Sequence, residues 1–282
     1  MTLEKKTKNR IPSRNTLQSI AESFVQARLT AAPLDAYPGP QPASLEEAYR
    51  IQDIAIDLWP DTVGGWKVGR IPPALEEQYG CDRLAGPIFN KAIRRRPNGE
   101  DSEMPVFESG FAAVEAEFVA VIAEDAPRAK TDWSRDDAET MIGELHIGLE
   151  IASSPFSAIN DLGPTVTASD FGNNVGLIVG PAISDWTTRD PGTLTCEAFL
   201  DDRSTGRGGA YTLTGGVTRS VQFMLELAAR RGRPLKAGDV IATGQTSGIH
   251  EVSPGQVARI DFGDDGKLAC KLVAASGRSD SR

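Results

Sequence analysis

The amino-acid sequence predicts an α+β protein, with a twisted or rolled mixed β-sheet carrying helices on its outside. Extended segments outnumber helical ones over most of the chain, so the regular strand and helix alternation of a doubly wound sheet is missing. Two amphipathic helical patterns lie near the N-terminus, and beyond Glu103 the chain turns predominantly strand-like. With 282 residues the chain can bury a substantial core without disulfides or a structural metal. These observations divide it into a flexible basic tail (1–14), a smaller α/β N-terminal part (15–100) and a β-rich part (101–282).

The first helix is expected over 16–30, where Leu17, Ile20, Phe24, Val25 and Leu29 fall near one stripe. A loop with four prolines follows. The second helix, 45–59, starts after Ser44 and Glu47, spaced as a capping box, and Pro60 helps to stop it. A strand at 62–69, a short proline-led helix at 72–80 and a loop at 81–89 come next. The polar stretch 91–105, with Arg94, Arg95 and Arg96 adjacent, reads as a solvated hairpin or loop. Strands are expected at 104–107 and 113–123, then a helix over 136–147 that Ser134 can cap. Further strands fall at 148–154, 174–180, 193–201, 238–244, 256–263 and 267–274. The helix at 217–232 has a clear stripe, a basic last turn and Gly232 at its end.

A formal net charge of -9 argues against a broad nucleic-acid or anionic-membrane surface. No apolar run is long enough for a spanning helix, and the basic N-terminus lacks the apolar core of a secretory signal. Cys81, Cys196 and Cys270 are odd in number and widely spaced, which fits a reducing compartment such as the cytoplasm. Two histidines, His146 and His250, are too few for a histidine-rich zinc site.

The chemistry concentrates in the stretch FAAVEAEFVAV. Side chains alternate along a strand, so Glu115 and Glu117 share one side, with roughly 6.6 Å between their Cα atoms. Val114, Ala116 and Phe118 take the other side. Two glutamates alone can equally mark a solvent-facing edge strand. Glu150, between apolar neighbours in GLEIASS, adds a third carboxylate, and such a set suits magnesium or manganese.

These pieces together resemble the 2-keto-4-pentenoate hydratase and 2-oxo acid decarboxylase branch of the fumarylacetoacetate hydrolase superfamily. The matching segments are GWKVG, EEQYG, VEAEFVAV, GLEIA, SDFGNNVGLIVG, STGRGG and LKAGDVIATG, in family order over most of 45–273. The resemblance implies a rolled, barrel-like β core forming a catalytic domain. It implies Mg2+ or Mn2+ held by Glu115, Glu117 and Glu150, with Lys67 as the catalytic lysine. Thr243, Gly244, Arg207 and Asp170 become candidates for substrate binding, and His146 and Asn173 for support around the site. Implied partners are small 2-oxo or 2-hydroxydienoic acids, in a homo-oligomer serving aromatic compound catabolism.

The activity so implied is a metal-dependent hydratase that adds water to a 2-hydroxypenta-2,4-dienoate-like acid to give a 4-hydroxy-2-oxo acid. Family hydratases commonly carry an acidic residue in the loop after EEQYG. Here Leu84 or Ala85 stands in its place and Asp82 lies slightly earlier. Arg70, after the lysine segment, points to a further polar or anionic group on the substrate. A related decarboxylase, an acylpyruvate-type hydrolase and a non-catalytic keto-acid-binding protein therefore stay open. No Ser-His-Asp order can be assembled, GQTSG does not fit a nucleophile elbow, and STGRGG is not a Walker A loop.

Overall fold

The computed structural model describes residues 13–96 and 102–277. Most of the basic tail and part of the polar stretch after the three arginines lie outside the described residues. Helix α1 (Arg14–Thr30) begins where the Ser13 hydroxyl accepts the Thr16 N–H, and its apolar stripe packs on α2 (Leu45–Leu58). At the start of α2 the Ser44 hydroxyl accepts the Glu47 N–H, while the Glu47 carboxylate takes the Ala43 N–H at 2.8 Å. The reciprocal bond of the capping box thus lands one residue upstream of Ser44. Gln52, on the buried face of α2, donates to the carbonyls of Ala85 and Ala168 and ties the helix pair to the sheet beneath.

Strand β1 (Val63–Arg70), helix α3 (Pro73–Tyr79) and strand β2 (Arg83–Phe89) follow. Residues 81–89, expected as a loop, are therefore largely a buried strand. Gly86 and Pro87 disguise it, and Pro87 is tolerated because β2 sits at a sheet edge. The arginine run is also partly a strand, β3 (Ile93–Arg95), parallel to β7 (Asn174–Ala182). Strands β4 (Ser102–Val106) and β5 (Phe111–Ile122) come next. The helix expected over 136–147 is cut short. Ser134 does cap a helix, α4 (Arg135–Thr140), but from Ile142 the chain is already β6 (Ile142–Ser154).

Helix α5 (Pro164–Ser169) precedes β7, and β8 (Thr195–Leu200) and β9 (Arg203–Gly209) form an antiparallel pair after it. Helix α6 (Gly216–Arg230), β10 (Val240–Ala242), β11 (His250–Glu251), β12 (Val257–Asp261) and β13 (Lys267–Ala274) complete the chain. One sheet runs β2-β1-β10-β5-β6-β7-β3, with β11 added to β5; a second runs β4-β13-β12-β8-β9. The composition change near residue 100 is therefore not a break between sheets, because β1, β2 and β3 join strands from beyond it.

The large sheet curls until β2 and β7 approach each other, giving a half-barrel. Its pairing register decides which side chains face the hollow. Glu115 lies opposite Glu150, Glu117 opposite Gly148, Val119 opposite both His146 and Ala242, and Lys67 opposite Ala242. Directly paired residues point to the same side, so the carboxylates and Lys67 share the concave face. Lower in that hollow Ile88, Val119, Leu177, Val179, Val240 and Ala242 form a small apolar plug. The convex face, with Val114, Ala116, Phe118 and Ala120, belongs to the main core.

Candidate active site

Glu115, Glu117 and Glu150 are all buried, and one oxygen from each lies within 4.8 Å of the others. Sequence alternation placed two of them on one side; the register of β5 against β6 brings the third. Burial above all, aided by the neighbouring glutamates, lifts the Glu117 carboxyl well above its ordinary value. Burial raises Glu115 to about 7, against the pull of Lys67 and with the push of Glu150. Glu117 Oε1 and Glu150 Oε2 are buried without a hydrogen-bond partner. Buried acceptors are ordinarily satisfied, and three crowded carboxylates resist joint ionisation unless positive charge stands among them. An all-oxygen donor set with two unspent oxygens fits a hard divalent cation such as Mg2+ or Mn2+.

Lys67 leaves β1 on the same concave side, with Nζ 3.4 Å from Glu150 Oε1 and 3.4 Å from Asn173 Oδ1. Burial works against its charge, but Glu150, Glu115 and Glu117 together outweigh burial and raise its pKa. The three carboxylates beside it therefore favour the ammonium form of Lys67.

The other oxygen partners come from one turn. In SDFGNN, Phe171, Gly172 and Asn173 all take left-handed backbone angles, which is costly for the bulky Phe171. Two features hold it. The Phe171 ring packs edge-on against Trp59 and Phe89. Asp170 is locked by Arg28, whose Nη2 donates at 2.9 Å, and by the Ser154 hydroxyl at 2.6 Å. A Cβ on Gly86 would meet the Phe171 carbonyl at 2.0 Å, so only glycine lets this turn sit against β2. The turn presents Asn173 to Lys67, and Asn174 Nδ2 donates to Glu150 Oε1 at 3.0 Å. Asn174 escaped sequence reasoning; its position beside Asn173 at the start of a strand was the available signal.

The remaining candidates scatter. Asp170 has both carboxylate oxygens engaged by Arg28 and Ser154, so in this structure it anchors the turn. Thr243 donates its hydroxyl to the Phe118 carbonyl at 2.7 Å. Gly244, at φ +123°, directs its N–H to Glu117 Oε2 at 2.7 Å and so steadies that carboxylate. His146 does not approach Glu150: extended chain puts it four residues away, roughly 13 Å along β6. Its ring contacts the Gly180 carbonyl and Glu144 instead. Arg207 is exposed on β9, paired with Glu197 at 3.0 Å. It lines a cavity of about 310 Å³ that also takes in Arg70, Arg83, Leu213, Thr243 and Gly244. A second cavity of about 340 Å³, walled by Phe89, Phe107 and Phe171, includes Asn174 but none of the three glutamates. At the place of the missing acid, Leu84 and Ala85 are buried and apolar, and Asp82 is tied to Arg83 and Arg219.

A half-barrel sheet with an acidic cluster in its hollow is the architecture of an organic-acid enzyme family, and sequence comparison agrees. The model of the fumarylacetoacetate hydrolase C-terminal domain matches residues 88–273, and the chain belongs to that family. It is 28% identical over 241 residues to 2-keto-4-pentenoate hydratase of Burkholderia vietnamiensis, covering 82% of this chain and 87% of that protein. The hydratase of the same name from Paraburkholderia phymatum is 26% identical over 242 residues, with the same coverage. Among solved structures, 4-oxalocrotonate decarboxylase from Pseudomonas putida G7, complexed with magnesium and adipate, superposes with a TM-score of 0.76. That match has 19% identity and covers 94% of this chain and 100% of the other. Fumarylpyruvate hydrolase from Pseudomonas aeruginosa, in complex with Mn2+ and pyruvate, gives 0.56 at 16% identity, over 74% of this chain and 89% of that one. The rolled α+β fold expected from the sequence is the fold observed.

Proposed function

We propose that this protein is a metal-dependent hydratase that converts a 2-hydroxypenta-2,4-dienoate-like acid and water into a 4-hydroxy-2-oxo acid. The observation that carries the reading is the buried cluster of Glu115, Glu117 and Glu150 with Lys67 at its side. Its similarity to two hydratases over most of the chain supports the choice of reaction. The three glutamates would hold Mg2+ or Mn2+, which when bound supplies Lewis-acid polarisation to the oxygens of a 2-oxo acid.

The other steps belong to the chain. Glu117 is kept in place by Gly244, Glu150 by Asn174, and Lys67 by Glu150 and Asn173. Lys67 would hand a proton to C5 of the dienol while the enol O–H proton passes to solvent, or would balance negative charge on the substrate. Ketonisation makes an alkene conjugated to the 2-oxo group, and water then adds at C4. The apolar plug of Val119, Leu177 and Val240 keeps bulk water out from below.

A second reading, a 2-oxo acid decarboxylase, is favoured by one observation. Leu84 and Ala85 stand where family hydratases commonly have an acid, and loss of carbon dioxide asks only for one proton in return. The structural likeness to 4-oxalocrotonate decarboxylase is compatible with it. No helix among the described residues is long and apolar enough to cross a membrane. The odd, widely spaced cysteines are our ground for placing the activity in the reducing cytoplasm, and the family resemblance for a homo-oligomer. The test is incubation with 2-hydroxypenta-2,4-dienoate and with 4-oxalocrotonate in the presence of Mn2+, read by mass spectrometry. Gain of one water on the dienoate supports the hydratase; loss of carbon dioxide from the diacid, with the dienoate untouched, replaces it by the decarboxylase.

A further inference from the structure

The cavity of about 340 Å³ beside the SDFGNN turn is lined by none of Glu115, Glu117, Glu150 or Lys67. Its wall combines two kinds of chemistry. One is aromatic: the Phe89 and Phe171 rings meet edge-on with centroids 5.0 Å apart, and Trp59 lies 5.4 and 5.7 Å from them. Phe107 joins them through the Arg28 guanidinium, which lies over its ring at 5.7 Å and over Phe171 at 5.1 Å. Arg28 is engaged by the Asp170 carboxylate and by the carbonyls of Ser153 and Asn174. It is a fixed, neutralised part of the wall.

The other kind is cationic. In a chain of net charge -9, the short run 91–96 carries Lys91, Arg94, Arg95 and Arg96, and the first two line the cavity. Among the described residues the Lys91 ammonium meets no acceptor, and Arg94 donates only to the Lys91 carbonyl, at 2.6 Å. Asp61 is the one acid among the described lining residues. Its two oxygens accept the backbone N–H groups of Thr62 and Lys91, at 2.9 and 2.8 Å. Both side-chain cations are thus left without a carboxylate.

A plain hydrocarbon would fill the aromatic side and leave Lys91 and Arg94 idle. An inorganic anion would meet the cations and leave the rings bare. An aromatic acid uses both, because a flat ring packs against aromatic edges and faces while its carboxylate takes charge-assisted hydrogen bonds. The volume lies at the small end of the range for ligand pockets, which suits a single ring. We propose that this cavity is an accessory binding site for a small aromatic carboxylate, with the ring among Phe89, Phe107 and Phe171 and the carboxylate at Lys91 and Arg94. The site stands apart from the glutamate cluster and does not depend on the reading of that cluster.

The test is titration calorimetry on the full chain, in chelator so that no cation in the glutamate cluster recruits a carboxylate. The probes are benzoate, benzamide, which keeps the ring and loses the charge, and cyclohexanecarboxylate, which keeps the charge and loses the flat ring. Benzoate should bind at least about tenfold more tightly than benzamide, the size expected from one charge-assisted contact. It should also bind several-fold more tightly than cyclohexanecarboxylate. The double variant Lys91→Ala, Arg94→Ala should bring the ratio of benzoate to benzamide affinity close to one, with the fold checked by circular dichroism. Lys91→Ala alone, at an exposed position, should already lose part of the preference. Benzoate binding no tighter than either comparison probe overturns the proposal, as does a preference for benzoate that survives the substitutions. Absence of benzoate binding overturns it too.

Discussion

Replacing Glu115 by glutamine should shift stability in opposite directions with and without a divalent cation. Burial is the main reason that the Glu115 carboxyl rises from 4.5 to about 7 in the folded protein. Below about pH 4.5 it is protonated in both folded and unfolded chains. Between there and about pH 7 the unfolded chain gives up its proton while the folded chain keeps it, so stability falls as pH rises. Above about pH 7 the deficit is constant, at about 3 kcal/mol from 1.36 kcal/mol per pH unit. An amide carries no such penalty. In chelator at about pH 8, Glu115→Gln should therefore be more stable by up to about 3 kcal/mol, or about 5 °C in Tm for a chain of this size, and near pH 4.5 the difference should vanish. Mn2+ at about 100 times its Kd should stabilise the wild type by about 2.7 kcal/mol and the variant far less. Calorimetric melts at both pH values, in chelator and in Mn2+, measure all of these quantities. A variant less stable than wild type in chelator at about pH 8, or an undiminished response to Mn2+, would refute the reasoning.

Lys67→Met should retain Mn2+ binding yet lose roughly 10²-fold or more in turnover, the usual scale for a positioned proton donor; near-normal kcat would remove Lys67 from the mechanism. Arg28→Ala leaves the buried Asp170 carboxylate without its cation and should cost about 3–5 kcal/mol in urea unfolding. An unchanged midpoint would show that the SDFGNN turn does not depend on this pair. His146→Ala should leave kcat within about twofold, since extended β6 keeps it roughly 13 Å from Glu150; a large loss of kcat with unchanged KM would contradict that placement.

Much of the site was legible because strand alternation is a strict rule: Glu115 and Glu117 had to share a side, and Lys67 sat in a recognisable strand. The meeting of Glu115 with Glu150 was not legible, since register depends on pairing between β5 and β6 and on a β-bulge near Val121. Residues 142–147 misled because a capped helix start and the spacing of Ile142, Leu145 and Ile147 satisfy a helix as readily as a strand. Strand β2 was hidden by Gly86 and Pro87, residues an edge strand beside a tight turn accommodates. Strand β3 was hidden by its arginines, which suit a short edge strand because charge there discourages pairing with other chains. Asp170 looked like a pocket residue because its partner, Arg28, lies 142 positions away in the sequence.

The central claim is that Glu115, Glu117 and Glu150 form one cation site. A crystal of the protein soaked in Mn2+ and measured at the manganese absorption edge tests it most directly. The account predicts one strong anomalous peak in the hollow of the half-barrel, about 2.2 Å from an oxygen of each glutamate, between the magnesium and calcium ranges. A peak elsewhere, or none at manganese concentrations that support turnover, would contradict it.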